Sequence, residues 1–340
     1  MPHLDLHASS VWPLVVVHFV SHPEMVRLSG MDLSTTQPIS ADASGCARAG
    51  SRVGARSGWR GVTQVLASAA SNQTGAALGA QAFDAVGPFG VVAVRQAVAA
   101  AVLLPVARPP LRKMTWSQWW PTLLLALVFA TMNLALYLAV DRIGLGLAIT
   151  LEFIGPLALT LAGSRTGRDL VTALLAVGGV YVLVLPGPAD DVPGLALGLV
   201  AGACWAAYIV LNRVVGNRLT GLQAPAVASG LCALGYLPVL VTITHTASWD
   251  AATVTRVLAA GLLSSVVPYT VDLVALRTVT PRQFGILSSA QPAIAALVGL
   301  ALLGQGLAFH EWLGIVIVIT ANISAVATST AVTPDRAISP

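Results

Sequence analysis

The sequence predicts an all-α polytopic membrane protein of ten transmembrane helices, arranged as two inverted five-helix repeats. Three observations predict this: a composition too apolar for water, ten apolar runs with basic residues on alternate joints, and an internal repeat. Of 340 residues, 56% are hydrophobic and 9% charged. A soluble domain carries roughly 25% charged residues. The 18 basic and 14 acidic side chains cannot coat two soluble cores, so lipid must be the main solvent. Three cysteines, Cys46, Cys204 and Cys232, stand at no metal-ligand spacing. The net charge of +4 is spread over short loops, so no nucleic-acid partner is expected. Seventeen of the basic residues are Arg and one is Lys113, which with abundant Ala, Gly and Val suggests a GC-rich bacterial genome.

A membrane-spanning helix needs about 20 mostly apolar residues. Ten candidates run 62–83, 89–107, 121–140, 143–162, 170–185, 194–214, 222–244, 257–276, 283–304 and 312–328. Their joints carry turn residues, as in Gly163–Asp169 and Pro186–Pro193, and their shortness makes neighbouring helices antiparallel. With the N-terminus in the cytoplasm, the inner segments hold Arg27, Arg48, Arg52, Arg56, Arg60, Arg108, Arg112, Lys113, Arg165, Arg168, Arg213, Arg218, Arg277, Arg282 and Arg336. The outer segments hold Arg142 and Arg256, and Arg95 lies within a span. That asymmetry predicts the plasma (inner) membrane with both termini cytoplasmic. The first span carries Gln64, Ser68, Ser71, Asn72, Gln73 and Thr74. Omitting it would move five arginines outside, so it is kept as a polar helix facing protein or water. Residues 1–60 are read as a disordered extension, 61–186 as the first repeat, 187–328 as the second and 329–340 as a cytoplasmic tail.

The repeat rests on Leu151-Glu-Phe-Ile-Gly-Pro156 in span four and Leu287-Ser-Ser-Ala-Gln-Pro292 in span nine, their prolines 136 residues apart. Five spans is an odd number, so the second copy enters the membrane inverted, as in secondary transporters that bind substrate near the midplane. Each mid-span proline frees a backbone carbonyl, tolerable only where protein or a watery cavity satisfies it. Gly194, Gly198 and Gly202 form a small-residue stripe for close packing, in the bundle or at a homodimer seam.

Three ionisable side chains fall inside spans: Arg95, Glu152 and Asp272. Each costs about 2.5–3.5 kcal/mol at a helix centre and needs a reason. At 1.5 Å per residue, Glu152 lies about 13 Å from the outer end of its span, Arg95 about 9 Å, and Asp272 only about 6 Å from the inner end. Gln73, Trp205 and Gln291 sit at comparable depth. Asn133 and Tyr137 share a helical face, as do Trp205 with Tyr208 and Tyr269 with Asp272. Together these ten side chains are expected to line a cavity holding a carboxylate, a guanidinium, amides and aromatic walls. An amino acid, with its ammonium and carboxylate, fits that inventory. A structural Glu152–Arg95 ion pair is the other reading. No enzyme signature is present: His310-Glu311 has no second His four residues on, and there is no Walker loop. No cofactor and no resident metal are expected.

Met132–Tyr137, Ala148–Leu157, Gly202–Tyr208, Pro268–Asp272, Arg282–Gly285 and Gln291–Ala295 occur in the order found in the drug/metabolite transporter superfamily, and residues 61–328 resemble its EamA-repeat branch. The similarity is greatest to the threonine/homoserine exporters of that branch. This resemblance implies ten helices in two inverted EamA repeats, alternating access, and proton-driven export of small amino acids or related metabolites. The chain departs from the pattern at Gln291 and Gln305, where the family usually has Glu, and at Asp272, where Glu is common. The loss of two carboxylates concentrates any proton coupling at Glu152. Two alternatives stay open: a transporter of another cargo, such as an amine or drug, and a non-transporting sensor or assembly protein.

Overall fold

The computed structural model describes residues 47–162, 167–183, 191–275 and 281–329. The extension up to residue 46, the joints 163–166, 184–190 and 276–280, and the tail from 330 lie outside them. The chain divides after Arg52, and Val53 onward forms one unit. Helix α1 (Ala47–Ala80) begins ahead of the boundary expected at residue 60. It is followed by α2 (Phe83–Ala107), α3 (Trp116–Ile143), α4 (Leu145–Glu152), α5 (Ile154–Ala162) and α6 (Gly167–Leu183). Then come α7 (Val192–Gly216), α8 (Gln223–Gly235), α9 (Leu237–Thr246), α10 (Ala251–Gly261), α11 (Val267–Ala275), α12 (Pro281–Ser288), α13 (Gln291–Leu303) and α14 (Phe309–Ser329). The described residues are helical with no strand. Within the described residues, each apolar run expected from the sequence lies mainly on one helix or on a broken pair.

Among the described residues, five helices are long and apolar enough to cross a membrane: Phe83–Ala107, Trp116–Ile143, Val192–Gly216, Ala251–Ala275 and Phe284–Leu303. The pair α8–α9, bent by 55°, makes a sixth if it counts as one span. The apolar stretches Leu145–Leu159, Leu170–Leu183 and Phe309–Ser324 are shorter. Polar α1, counted from the sequence as the first of ten spans, is not among them.

Local chemistry explains the ends and breaks. Gln118 returns its side-chain oxygen to the Thr115 N–H at 3.0 Å, boxing the start of α3. Gly144 closes α3 at φ +80°, a conformation costly to any residue with a Cβ. The α4–α5 break at Phe153 stands three residues before Pro156, and the α12–α13 break stands just before Pro292. Pro238 follows the α8–α9 bend at Tyr236. Between α10 and α11 the backbone takes one π-turn, Leu262–Val266, immediately ahead of Pro268.

Helix α3 packs along α7, α6 along α14 and α2 along α8. Lipid supplies little hydrophobic drive between such helices, so close packing must hold them. The glycine stripe of α7 provides it. A Cβ at Gly198 would press on Leu151, and one at Gly202 would lie 2.9 Å from the Glu152 carbonyl oxygen. A Cβ at Gly155 would overlap the Gly202 carbonyl. The stripe therefore packs inside the bundle, against the break that presents Glu152. Gly155→Ala is expected to destabilise the protein by about 1–3 kcal/mol, as overpacking does, measured as a lower unfolding midpoint in detergent. By contrast Gly178→Ala, where a Cβ meets nothing within 4 Å, should be nearly neutral.

Candidate functional site

The site starts from Pro268. Proline has no N–H, so a helix carbonyl one turn earlier loses its partner. Here the open carbonyls are claimed by side chains from two other helices. The Ser71 hydroxyl of α1 donates to the Leu263 carbonyl at 2.9 Å. A terminal nitrogen of Arg95 on α2 donates to the Ser264 carbonyl at 2.7 Å, and its Nε donates to the Ser265 hydroxyl at 2.8 Å. The Ser264 hydroxyl in turn donates to the Asn72 carbonyl at 2.9 Å. A Cβ at Gly75 would collide with Ser264, so α1 lies directly on the π-turn. The polar face of the first helix is thereby spent on protein.

Arg95 is 6% exposed. Its guanidinium carbon lies 5.5 Å from the centre of the Tyr137 ring, in cation–π range. Tyr137 is buried, edge-on to Phe83, and its hydroxyl has no partner among the described residues. Glu152 ends α4, equally buried. Among the described residues its carboxylate makes no hydrogen bond and no ion pair, the one ion pair there being Arg142–Asp191 at 3.0 Å. Glu152 and Arg95 still feel each other's charge. The direct Glu152–Arg95 pair considered from the sequence is thus not formed, because serine and a freed carbonyl hold the guanidinium instead.

The other expected residues surround this core. Trp205 meets Phe153, next to Glu152, edge to face at 4.5 Å. The Gln73 amide of α1 donates to the Gln291 side-chain oxygen of α13 at 3.1 Å, leaving Gln73 Oε1 unpartnered among the described residues. Tyr208 and Tyr269 both pack on Phe129, with centroids at 5.8 and 5.7 Å. Tyr269 bonds to Ser265, and Asp272 bonds to Ser68. Asn133 spends its amide on the Phe129 carbonyl of its own helix at 2.7 Å.

Five of the ten residues expected to line a cavity, Gln73, Arg95, Asn133, Tyr137 and Glu152, are closed from solvent, packed among neighbouring helices. Sequence reasoning also missed Ser264 and Ser265, whose signal was their position three and four residues before Pro268. It missed Gln96 too, fully buried with neither amide atom partnered among the described residues.

Residues 192–326 match the EamA-like transporter family. The chain is 35% identical over 274 residues to the threonine/homoserine exporter RhtA of Escherichia coli K12, covering 79% of this chain and 92% of that protein. The chain belongs to the EamA-like transporter family. RhtA of Salmonella typhimurium LT2 is 34% identical over the same coverage. One solved crystal structure shares the fold at TM-score 0.53 and 19% identity, covering 79% of this chain and 97% of the other. The EamA-like chain is therefore a multi-pass membrane protein of a transporter family and not an enzyme.

Ser265→Ala tests the arginine clamp within this transporter. It removes one charge-assisted bond, worth about 1.5–3 kcal/mol at most, and the bond between Tyr269 and Ser265 with it. Flux assays should show a several-fold higher KM with little change in the amount of folded protein. An unchanged KM would show that Arg95 needs no clamp.

Proposed function

We propose that this protein is a secondary active exporter of small amino acids of the threonine and homoserine kind. It works across the plasma membrane by alternating access and is coupled to protons. In this reading ten spans form two inverted EamA repeats, with both termini in the cytoplasm. The observation that carries it is a buried guanidinium and a buried carboxylate within electrostatic reach but not paired. A guanidinium and a carboxyl buried apart, in a medium that penalises charge, leave room for a ligand or a proton to complete them. An amino acid brings a carboxylate for Arg95 and an ammonium for Glu152. The Tyr137, Trp205, Tyr208 and Tyr269 rings, with Gln73, Asn133, Asp272 and Gln291, would bound its short side chain.

The relatives' names, the order of the matching segments and the paired breaks before Pro156 and Pro292 support the same reading. Everted vesicles with an imposed proton gradient should accumulate threonine or homoserine. Accumulation of neither, nor of any other amino acid, would remove the amino-acid cargo and leave transport of an amine or drug as the alternative. Reporter fusions after Asp190 and at the C-terminus should report outside and inside respectively. A C-terminus outside would remove the inverted repeat.

A further inference from the structure

A cavity of about 260 Å³ lies away from the mid-depth cluster, at one end of the bundle. One wall is the α3–α4 corner, with Asp141, Arg142 and Leu147. The other is the α13–α14 loop and the first turn of α14, with Gln305, Leu307 and Glu311. Both expected repeats contribute, and the arginine asymmetry puts both corners on the outer face.

The walls are tied together. The Gln305 side-chain oxygen accepts the Leu145 N–H at 2.9 Å, over the turn at Gly144. Arg142 Nε donates to Asp191 at 3.0 Å. Asp191, whose carboxyl is held below its ordinary range by the Gly194 N–H and then by Arg142, stays charged to take that bond. Asp141 and Arg142 are exposed, and among the described residues neither the terminal nitrogens of Arg142 nor the Asp141 carboxylate bonds to protein. Glu311 is 3% exposed; one oxygen accepts the Ala308 N–H at 2.6 Å and the other has no partner among the described residues. The cavity lining therefore combines the terminal fork of Arg142, whose Nε is held by Asp191, with the carboxylates of Asp141 and Glu311 and apolar Leu147, Ala296 and Leu307. An inorganic anion would meet the carboxylates, and a metal cation would meet Arg142. A small zwitterion satisfies both signs, its carboxylate on the fork and its ammonium on Asp141 and Glu311.

We propose that this cavity is a second amino-acid site, an outer vestibule that receives cargo leaving the mid-depth cluster and that external amino acid also occupies. It rests on the exporter reading and adds a site to it. Gly306 lines the cavity, and a Cβ there meets nothing within 4 Å, so Gly306→Cys adds a probe without disturbing the wall. With Cys46, Cys204 and Cys232 replaced by Ser, this thiol is labelled in intact cells by a membrane-impermeant maleimide. External threonine or homoserine should slow labelling. Asp141→Asn, at a side chain with no hydrogen bond among the described residues, should raise the concentration needed by about tenfold, and Glu152→Gln should leave it unchanged.

Labelling that neither amino acid slows, in a protein that still exports, overturns the vestibule and leaves the exporter standing. Protection lost in Glu152→Gln but kept in Asp141→Asn assigns the effect to the mid-depth cluster and overturns it equally. Labelling confined to inside-out vesicles places the cavity on the cytoplasmic face and likewise overturns an outer vestibule. Failure of the exporter reading itself shows separately, as absent flux of every amino acid.

Discussion

Glu152→Gln is expected to abolish gradient-driven export while the protein still folds and inserts. The residual flux should be roughly a hundredth or less, equivalent to about 2.7 kcal/mol in the transport barrier. Glutamine keeps the shape of the side chain and removes only its ability to exchange a proton or hold an ammonium. Folding is spared because the carboxylate makes no hydrogen bond among the described residues that the change would break. A structural ion pair predicts another outcome, in which Arg95 is stranded and a second change to Arg95→Gln restores folding and some activity. The geometry argues against it, since Ser264 and Ser265 hold Arg95 whether or not Glu152 is charged. The double variant should therefore be no better than Glu152→Gln. Counterflow, which moves no net proton, then divides the role. Counterflow retained in Glu152→Gln assigns the residue to coupling, and counterflow lost in folded protein assigns it to cargo binding. Full gradient-driven export by Glu152→Gln would remove Glu152 from the mechanism.

The parts legible in the sequence were those on which lipid imposes a large cost. Apolar runs must be helical because backbone polar groups have no other partner in the bilayer. A charge inside a run stands out for the same reason, which is how Arg95 and Glu152 were found. From the sequence, the mid-span prolines at 156 and 292 free backbone carbonyls within continuous spans; the structure instead breaks the helix just before each. The first helix would have been discarded on hydropathy. Arginine placement kept it, and the structure accounts for its polarity: Ser68, Ser71, Asn72 and Gln73 bond to the π-turn, α11 and α13. Cheap features were not legible. Serine is nearly neutral in a span, so Ser264 and Ser265 carried no signal until Pro268 was seen to open the carbonyls beside them. Asn133 failed differently. Its spacing from Tyr137 placed both on one face, but spacing cannot tell that an amide will bond back to its own helix.

The clamp gives Arg95 a prediction of its own, in which two substitutions diverge. Arg95→Gln removes the charge, reopens the Ser264 carbonyl and takes the donor from Ser265. Each charge-assisted bond is worth about 1.5–3 kcal/mol, so both folded yield and flux should fall steeply. Arg95→Lys is the sharper test. Lysine keeps the positive charge and the contact with Tyr137, and its ammonium can satisfy the Ser264 carbonyl. It lacks the planar fork, so it cannot hold Ser264 and Ser265 while still presenting donors to a cargo carboxylate. Folded yield of Arg95→Lys should stay near that of the unaltered protein, while KM for threonine rises about tenfold, or 1.4 kcal/mol of lost binding. An amine lacking the carboxylate should lose nothing, because Arg95 has no group on it to bind. If Arg95 only braces the π-turn, lysine would restore KM together with folding, and cargo with and without a carboxylate would be affected alike. The KM ratio of the two cargoes in Arg95→Lys therefore separates a cargo-binding arginine from a structural one.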